Sequence, residues 1–183
     1  MKQLLFTMFL SSFFLITGCA EQAPDANTAA PPSTASAVGS GSDSAAATDS
    51  VTFLDKDELQ AGAGEVDADA PTEFQTTDSG LRYRILRKSD GEKATADRTV
   101  TVHYRGWLDD GSEFDSSYSR GEPISFPLNG VIPGWTEGMQ LVGKGGMIEL
   151  WIPTDLGYGT AGAGAAVPPN ATLHFVVELL EIQ

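Results

Sequence analysis

Val102-His103-Tyr104-Arg105-Gly106-Trp107-Leu108-Asp109-Asp110-Gly111-Ser112-Glu113-Phe114-Asp115-Ser116-Ser117 is the stretch from which the rest of the chain is read. Within 99–105, Val100, Val102 and Tyr104 share one face while Thr101, His103 and Arg105 share the other, the period-two alternation of a strand with one buried side. Asp110-Gly111 then supplies a residue that accepts the positive φ of a hairpin turn, so Asp109-Asp110 reads as turn chemistry rather than a carboxylate pair. The returning chain carries Phe114 and Asp115 back beside the strand. A tyrosine, a phenylalanine and a carboxylate are thereby brought toward one place.

Working outward, strands are expected at 81–87, 99–105, 113–115, 124–127, 147–152 and 172–182. The last alternates Leu173, Phe175, Val177 and Leu179 with His174, Val176, Glu178 and Leu180, and its apolar residues on both faces mark it as a central strand. One helix is expected: Pro133 sets its first turn, Trp135, Met139 and Val142 recur at helical spacing over about two turns, and Gly143 ends it. Many strands, one small helix and turns rich in Gly, Asp and Pro give an α+β fold, an antiparallel β-sheet of about five to six strands wrapped over one short α-helix. Residues 73–183 suffice for a single domain with one core.

The chain before that domain reads differently. Lys2, the apolar run from Leu4 to Ile16 and the small residues Thr17-Gly18 have the form of a secretory signal over 1–18, with a run too short for a membrane span. Ile16-Thr17-Gly18-Cys19 resembles the lipobox of bacterial lipoproteins, which implies lipidation of Cys19; stable anchoring takes more than a single acyl chain. Ala20 after it is similar to the pattern that sorts Gram-negative lipoproteins to the outer membrane. A lone cysteine makes no internal disulfide. Residues 19–72, dominated by Ala, Ser, Thr, Pro, Gly and Asp, are expected to form a disordered acidic tether. Inside it Val51 to Leu59 is more apolar and is expected to make a turn of helix or to dock transiently on the domain or a partner. Gly62, Gly64 and Pro71 keep it from lengthening.

Several function classes drop out at this point. The chain has 11 basic and 25 acidic residues, a net charge of −14, which argues against nucleic-acid binding. Two histidines without clustered cysteines make no zinc site, and His103 and His174, opposite the apolar faces of their strands, read as solvated or packing residues. Gly157-x-Gly159-x-x-Gly162 satisfies a dinucleotide pattern, but no βαβ unit surrounds it and Pro168-Pro169 follow, so it reads as a loop.

Five motifs occur in one order over 79–183: Val102-His103-Tyr104-Arg105-Gly106, Asp110-Gly111-x-x-Phe114-Asp115-Ser116-Ser117, Val131-Ile132-Pro133-Gly134-Trp135, Gly157-Tyr158-Gly159, and Val167-Pro168-Pro169-Asn170-Ala171-Thr172-Leu173-x-Phe175. Together they resemble an FKBP-type peptidyl-prolyl cis-trans isomerase of the kind bacteria export to the periplasm. The resemblance implies a proline pocket with Tyr104, Asp115 and Tyr158 as its catalytic residues. It places Phe114, Ile124, Phe126, Val131, Ile132, Trp135, Val167 and Phe175 around the substrate. Trp135 would be the floor, and the Ile132 N–H and the Tyr158 hydroxyl would hold substrate carbonyls. Two positions depart from the family's pattern: Ile124 stands where an aromatic is frequent, and the loop at 161–166 is all glycine and alanine.

The same resemblance implies no cofactor and no metal. Substrates would be proline-containing unfolded or partly folded polypeptides, with macrolide inhibitors as further ligands. The membrane would be met through the lipid anchor only, at the outer membrane facing the periplasm. The long helical arm of dimeric relatives is missing here, which points to a monomer. The alternative is a holdase-type chaperone or peptide-binding module with weak isomerase activity, motivated by Ile124 and the glycine-alanine loop.

Overall fold

A computed structural model describes residues 50–183; the expected signal at 1–18, Cys19 and the tether as far as residue 49 lie outside the described residues. In chain order the elements are α1 (Asp57–Gln60), β1 (Gln75–Thr76), β2 (Arg82–Arg87), β3 (Thr99–Trp107), β4 (Glu113–Ser116), α2 (Ser117–Arg120), β5 (Ile124–Pro127), α3 (Pro133–Gly138), β6 (Met147–Ile152) and β7 (Leu173–Ile182). The strands form one antiparallel sheet in the order β1-β2-β6-β7-β3-β4. β5 pairs with the 99–102 end of β3, on which Val102 lies opposite Ile124, and β4 pairs with its other end, where Gly106 lies opposite Asp115.

The alternation in β3 and β7 has its expected effect on one side of the sheet. Val102, Tyr104, Phe175, Val177 and Leu179 point to an inner face, with Ile148, Leu150 and Ile152 of β6, and bury themselves against Trp135 and Met139. Two glycines let α3 lie close. A Cβ at Gly134 would stand 2.5 Å from Ile152 and one at Gly138 2.7 Å from Leu150. The helix is shorter than its sequence pattern predicts, because after Glu137 the chain tightens into turns whose N–H groups reach back three residues, Gln140 to Glu137 and Leu141 to Gly138. Met139 and Val142 remain buried, so the apolar spacing is satisfied without a second full turn.

The outer face holds the main departure from expectation. Residues from Val51 to Val66 do not belong to a free tether; they cross the outer face as a strap and place Phe53 and Leu59 among Leu86, Trp107, Met147 and Val176. Sheet side chains hold the strap's backbone. The Phe53 N–H donates to Glu149 (2.7 Å), the Gly64 N–H donates to Glu178 (2.8 Å), and Trp107 Nε1–H donates to the Val51 carbonyl (2.7 Å). The Arg105 guanidinium meets the carbonyls of Glu58 (2.5 Å), Leu59 and Ala61 (2.9 Å), so the end of α1 is capped from the sheet. Farther on, the Asp67 N–H bonds to the Leu86 carbonyl (2.8 Å). The stretch 51–67, expected to belong to a tether running to residue 72, therefore packs on the sheet, for a reason composition does not encode: the groups that satisfy this backbone belong to distant strands.

Candidate active site

The pocket is built at one end of β3, where three successive features of the sequence act together. Tyr104 points to the inner face and is 4 % exposed. Gly106, next on that face, has no side chain to obstruct; a Cβ there would lie 2.7 Å from both Phe114 and Phe175. The two rings consequently meet edge to face, 5.4 Å apart at 90°. Gly111, at φ 83°, turns the chain, with its N–H on the Leu108 carbonyl (2.8 Å) and the Asp110 carboxylate on the Ser112 N–H (2.8 Å). β4 then returns in the register that sets Asp115 opposite Gly106.

Trp135 closes the bottom. Its indole meets Tyr104 at 5.2 Å, Phe175 at 5.3 Å and Phe126 at 5.6 Å, each close to perpendicular, the arrangement that aromatic quadrupoles favour. These rings do not fill the space among them. A cavity of about 280 Å³ opens there, lined by Tyr104, Phe114, Asp115, Phe126, Gly130, Val131, Ile132, Trp135, Tyr158 and Phe175. Ile132 precedes α3 in extended conformation, and among the described residues its N–H has no protein acceptor, while its carbonyl takes the Trp135 N–H (2.9 Å). Tyr158 stands at the rim, 41 % exposed. Nine of the eleven pocket residues named from sequence therefore converge. Ile124 and Val167 do not line the cavity and pack in the surrounding core.

One polar device sits in this apolar wall. Asp115 pairs with Arg120 (2.5 Å) through one oxygen and accepts from the Tyr104 hydroxyl through the other, and Arg120 also donates to that hydroxyl (2.9 Å). Burial alone would raise the Asp115 carboxyl, but the hydrogen bonds from Tyr104 and Arg120 and the guanidinium charge outweigh it and hold the group below the usual carboxylate range. The Tyr104 phenol is pushed up to about 12, by burial first and by the adjacent carboxylate second. A carboxylate held this firmly is a fixed dipole, not a free base. Arg120 was missed in the sequence, although Ser116 accepting from the Ser119 N–H and Gly121 in left-handed conformation bracket a single helical turn that returns Arg120 to Asp115. Gly130, the other addition, lines the wall by its backbone.

The arrangement suits a small apolar ring with a carbonyl beside it. The rings and Val131 supply dry surface, the Ile132 N–H an available donor at one end, and Asp115 a fixed field at the side. The sequence model of the FKBP-type peptidyl-prolyl cis-trans isomerase matches residues 90–180. FkpA, an FKBP-type peptidyl-prolyl cis-trans isomerase of Escherichia coli (strain K12), is 52% identical over 109 residues, covering 60% of this chain and 40% of FkpA. The chain thus spans less than half the length of that relative. The crystal structure of FkpA from Escherichia coli superposes with a TM-score of 0.60 at 50% identity, covering 62% of this chain and 53% of the other. A peptidyl-prolyl cis-trans isomerase from Pseudomonas syringae superposes with a TM-score of 0.58 at 34% identity, covering 62% of this chain and 83% of the other.

Proposed function

The chain belongs to the FKBP-type peptidyl-prolyl cis-trans isomerase family, and we propose that it accelerates rotation about X–Pro bonds in unfolded or partly folded polypeptides by binding proline in the aromatic cavity. The observation that carries this reading is the cavity itself, an aromatic box with Asp115 locked into its wall by Arg120 and Tyr104.

Rotation about an X–Pro bond faces a barrier of about 20 kcal/mol and takes tens of seconds uncatalysed. No bond needs to be broken, so no nucleophile is required. The planar amide is stabilised by charge-separated resonance, which water favours. A proline ring held between Phe114, Phe175 and Trp135 loses that water, while the N–H of Ile132 fixes the chain on one side and leaves the preceding carbonyl free to swing toward Asp115. The twisted amide is less polar than the planar one, so a dry cavity favours it. Asp115 is not placed to shuttle a proton, since both oxygens are engaged. A protease-coupled assay on short proline peptides tests the reading: a rate above background is expected, and a rate equal to background for the full chain would sink it.

The envelope location belongs to the same proposal and draws its support from the sequence. Residues 1–18 would be removed as a signal, Cys19 would carry the lipid, and the domain would work at the outer membrane facing the periplasm, as a monomer on exported substrates. Macrolides that mimic a proline segment would occupy the same cavity. Replacing Cys19→Ser should shift the protein from the membrane to the soluble fraction, and membrane retention of that variant would count against the anchor.

A further inference from the structure

α2 has two sides with different attachments. Arg120, its last residue, completes the Asp115 and Tyr104 network in the pocket wall. Tyr118, two residues earlier, turns to the outer face of the sheet. Its ring stacks on His103 (5.0 Å, 12°), lies 5.4 Å from the Arg105 guanidinium, and its hydroxyl donates to Glu178. The same Glu178 oxygen accepts the strap's Gly64 N–H (2.8 Å), and the other pairs with Arg87 (2.8 Å). Strap residue Gly62 passes so near that a Cβ on it would be 3.7 Å from the Tyr118 Cβ. Ser117, the first residue of α2, ties the turn to β3 by accepting the Tyr104 N–H (2.8 Å).

A four-residue turn makes too few internal hydrogen bonds to hold its own orientation. Its direction is set by its anchors, and the anchor on the strap side is Tyr118. We infer that Tyr118 is a positioning residue for the isomerase reaction, joining the strap to the proline pocket by fixing α2 and with it the placement of Arg120 against Asp115. The inference rests on the isomerase reading above and adds to it a long-range element: residues 62–64, which line no part of the cavity, tune the polar wall of the pocket.

The test is a double-mutant cycle on the full chain with Tyr118→Phe, which keeps the ring and removes the hydroxyl, and Arg120→Ala. Tyr118→Phe is expected to lower kcat by about fivefold while KM for a short proline peptide holds, because the aromatic floor is untouched. In the Arg120→Ala background the same change should have no further effect, the non-additivity of residues acting through one group. Gly64→Ala attacks the link from the other side: its Cβ would lie 2.5 Å from Glu178 Oε2 and 2.6 Å from Arg87, displacing the carboxylate without touching the pocket. It should reproduce the kcat loss. The Arg120 Nε–H resonance is read in every variant, and Tyr118→Phe and Gly64→Ala should both move or broaden it. An unmoved Arg120 resonance, or additive losses in the cycle, overturns the link. A wild-type chain without activity overturns the isomerase reading instead, and the resonance then still decides the link.

Discussion

On the inner face of the sheet, Val102, Tyr104, Phe175, Ile148 and Leu150 meet the apolar side of α3, whereas on the outer face Arg84 of β2 and Arg105, Glu149, His174 and Glu178 of the other three strands are buried as well. Both faces exclude water, but by different means. The inner face relies on apolar area and stops short of filling its space at one end, where the proline cavity remains. The outer face is filled by the strap, which adds Phe53 and Leu59 and has several backbone groups met by the side chains of Trp107, Arg105, Glu149 and Glu178. Alternation in a strand thus reports which residues share a side, not whether the second side is wet. The contrast also separates two tasks: the hollow face carries the chemistry, and the filled face fixes the chain around it.

The largest effect on that contrast should come from the ion pair beneath the strap. Glu149 binds Arg84 at 2.6 Å with side chains 1% and 4% exposed, and its other oxygen takes the Phe53 N–H. Glu149→Ala leaves the Arg84 charge buried without its partner and frees the Phe53 end of the strap, while Gly64 stays bonded to Glu178. A loss of about 3–5 kcal/mol in urea unfolding is expected, with activity per folded molecule largely kept. A loss under about 1 kcal/mol would mean that the outer face is in fact solvated and the strap loosely held.

How much of this was legible in the sequence follows the same division. The strands around the pocket announced themselves through period-two alternation, Asp110-Gly111 placed the turn, and 124–127 and 147–152 begin and end where expected. Trp135 was readable because Pro133 and the spacing to Met139 mark a helix start. Of the strap, the apolar stretch Val51 to Leu59 was readable as a turn of helix or a docking segment, but its place on the outer face and its continuation to Val66 were not, since Phe53 and Leu59 are its only large buried apolar residues and they recur at no regular spacing. Its remaining attachments are main-chain groups paired with residues about 20 to 115 positions away, for which a local pattern has no signal. Arg120 was within reach, because a capped single turn directly after the Phe114-Asp115 pair returns its last residue to the carboxylate. Ile124 and Val167 were placed by resemblance alone; their own surroundings are core.

A smaller effect, read on the inner face, is expected for Asp115→Ala. Its pair with Arg120 is 40% and 42% exposed, so the net contribution to stability should stay under about 1 kcal/mol. Activity should respond more strongly. Removing the fixed carboxylate releases both Arg120 and the Tyr104 hydroxyl, and kcat/KM should fall about tenfold, equivalent to 1.36 kcal/mol of barrier. The two variants then form a crossed pair: Glu149→Ala costs stability and spares turnover, Asp115→Ala does the reverse. Equal losses of both quantities in both variants would erase the division between the faces.

The smallest effect sharpens the contrast through pH. His174 is 1% exposed on the outer face, with its ring stacked on Trp107 (5.8 Å), 4.7 Å from Trp151, and bonded through Nε2 to Asp109 (2.7 Å). Burial pushes its pKa below 6.5, against the opposing pull of Asp109, so the folded domain holds the ring neutral and donating to that carboxylate. The unfolded chain binds this proton more readily than the folded one. Stability therefore is fully present above the unfolded value of about 6.5 and is lost as pH falls from there through the lowered folded value. His174→Gln keeps a donor for Asp109 and removes the titration. Comparing urea midpoints at about pH 7.5 and about pH 5.5 should show a larger drop for the wild type than for the variant. Because the ring lies across the sheet from the cavity, kcat should change equally with pH in both proteins. A steeper pH dependence of kcat in the wild type alone would show that the two faces are coupled through β7 as well as through α2.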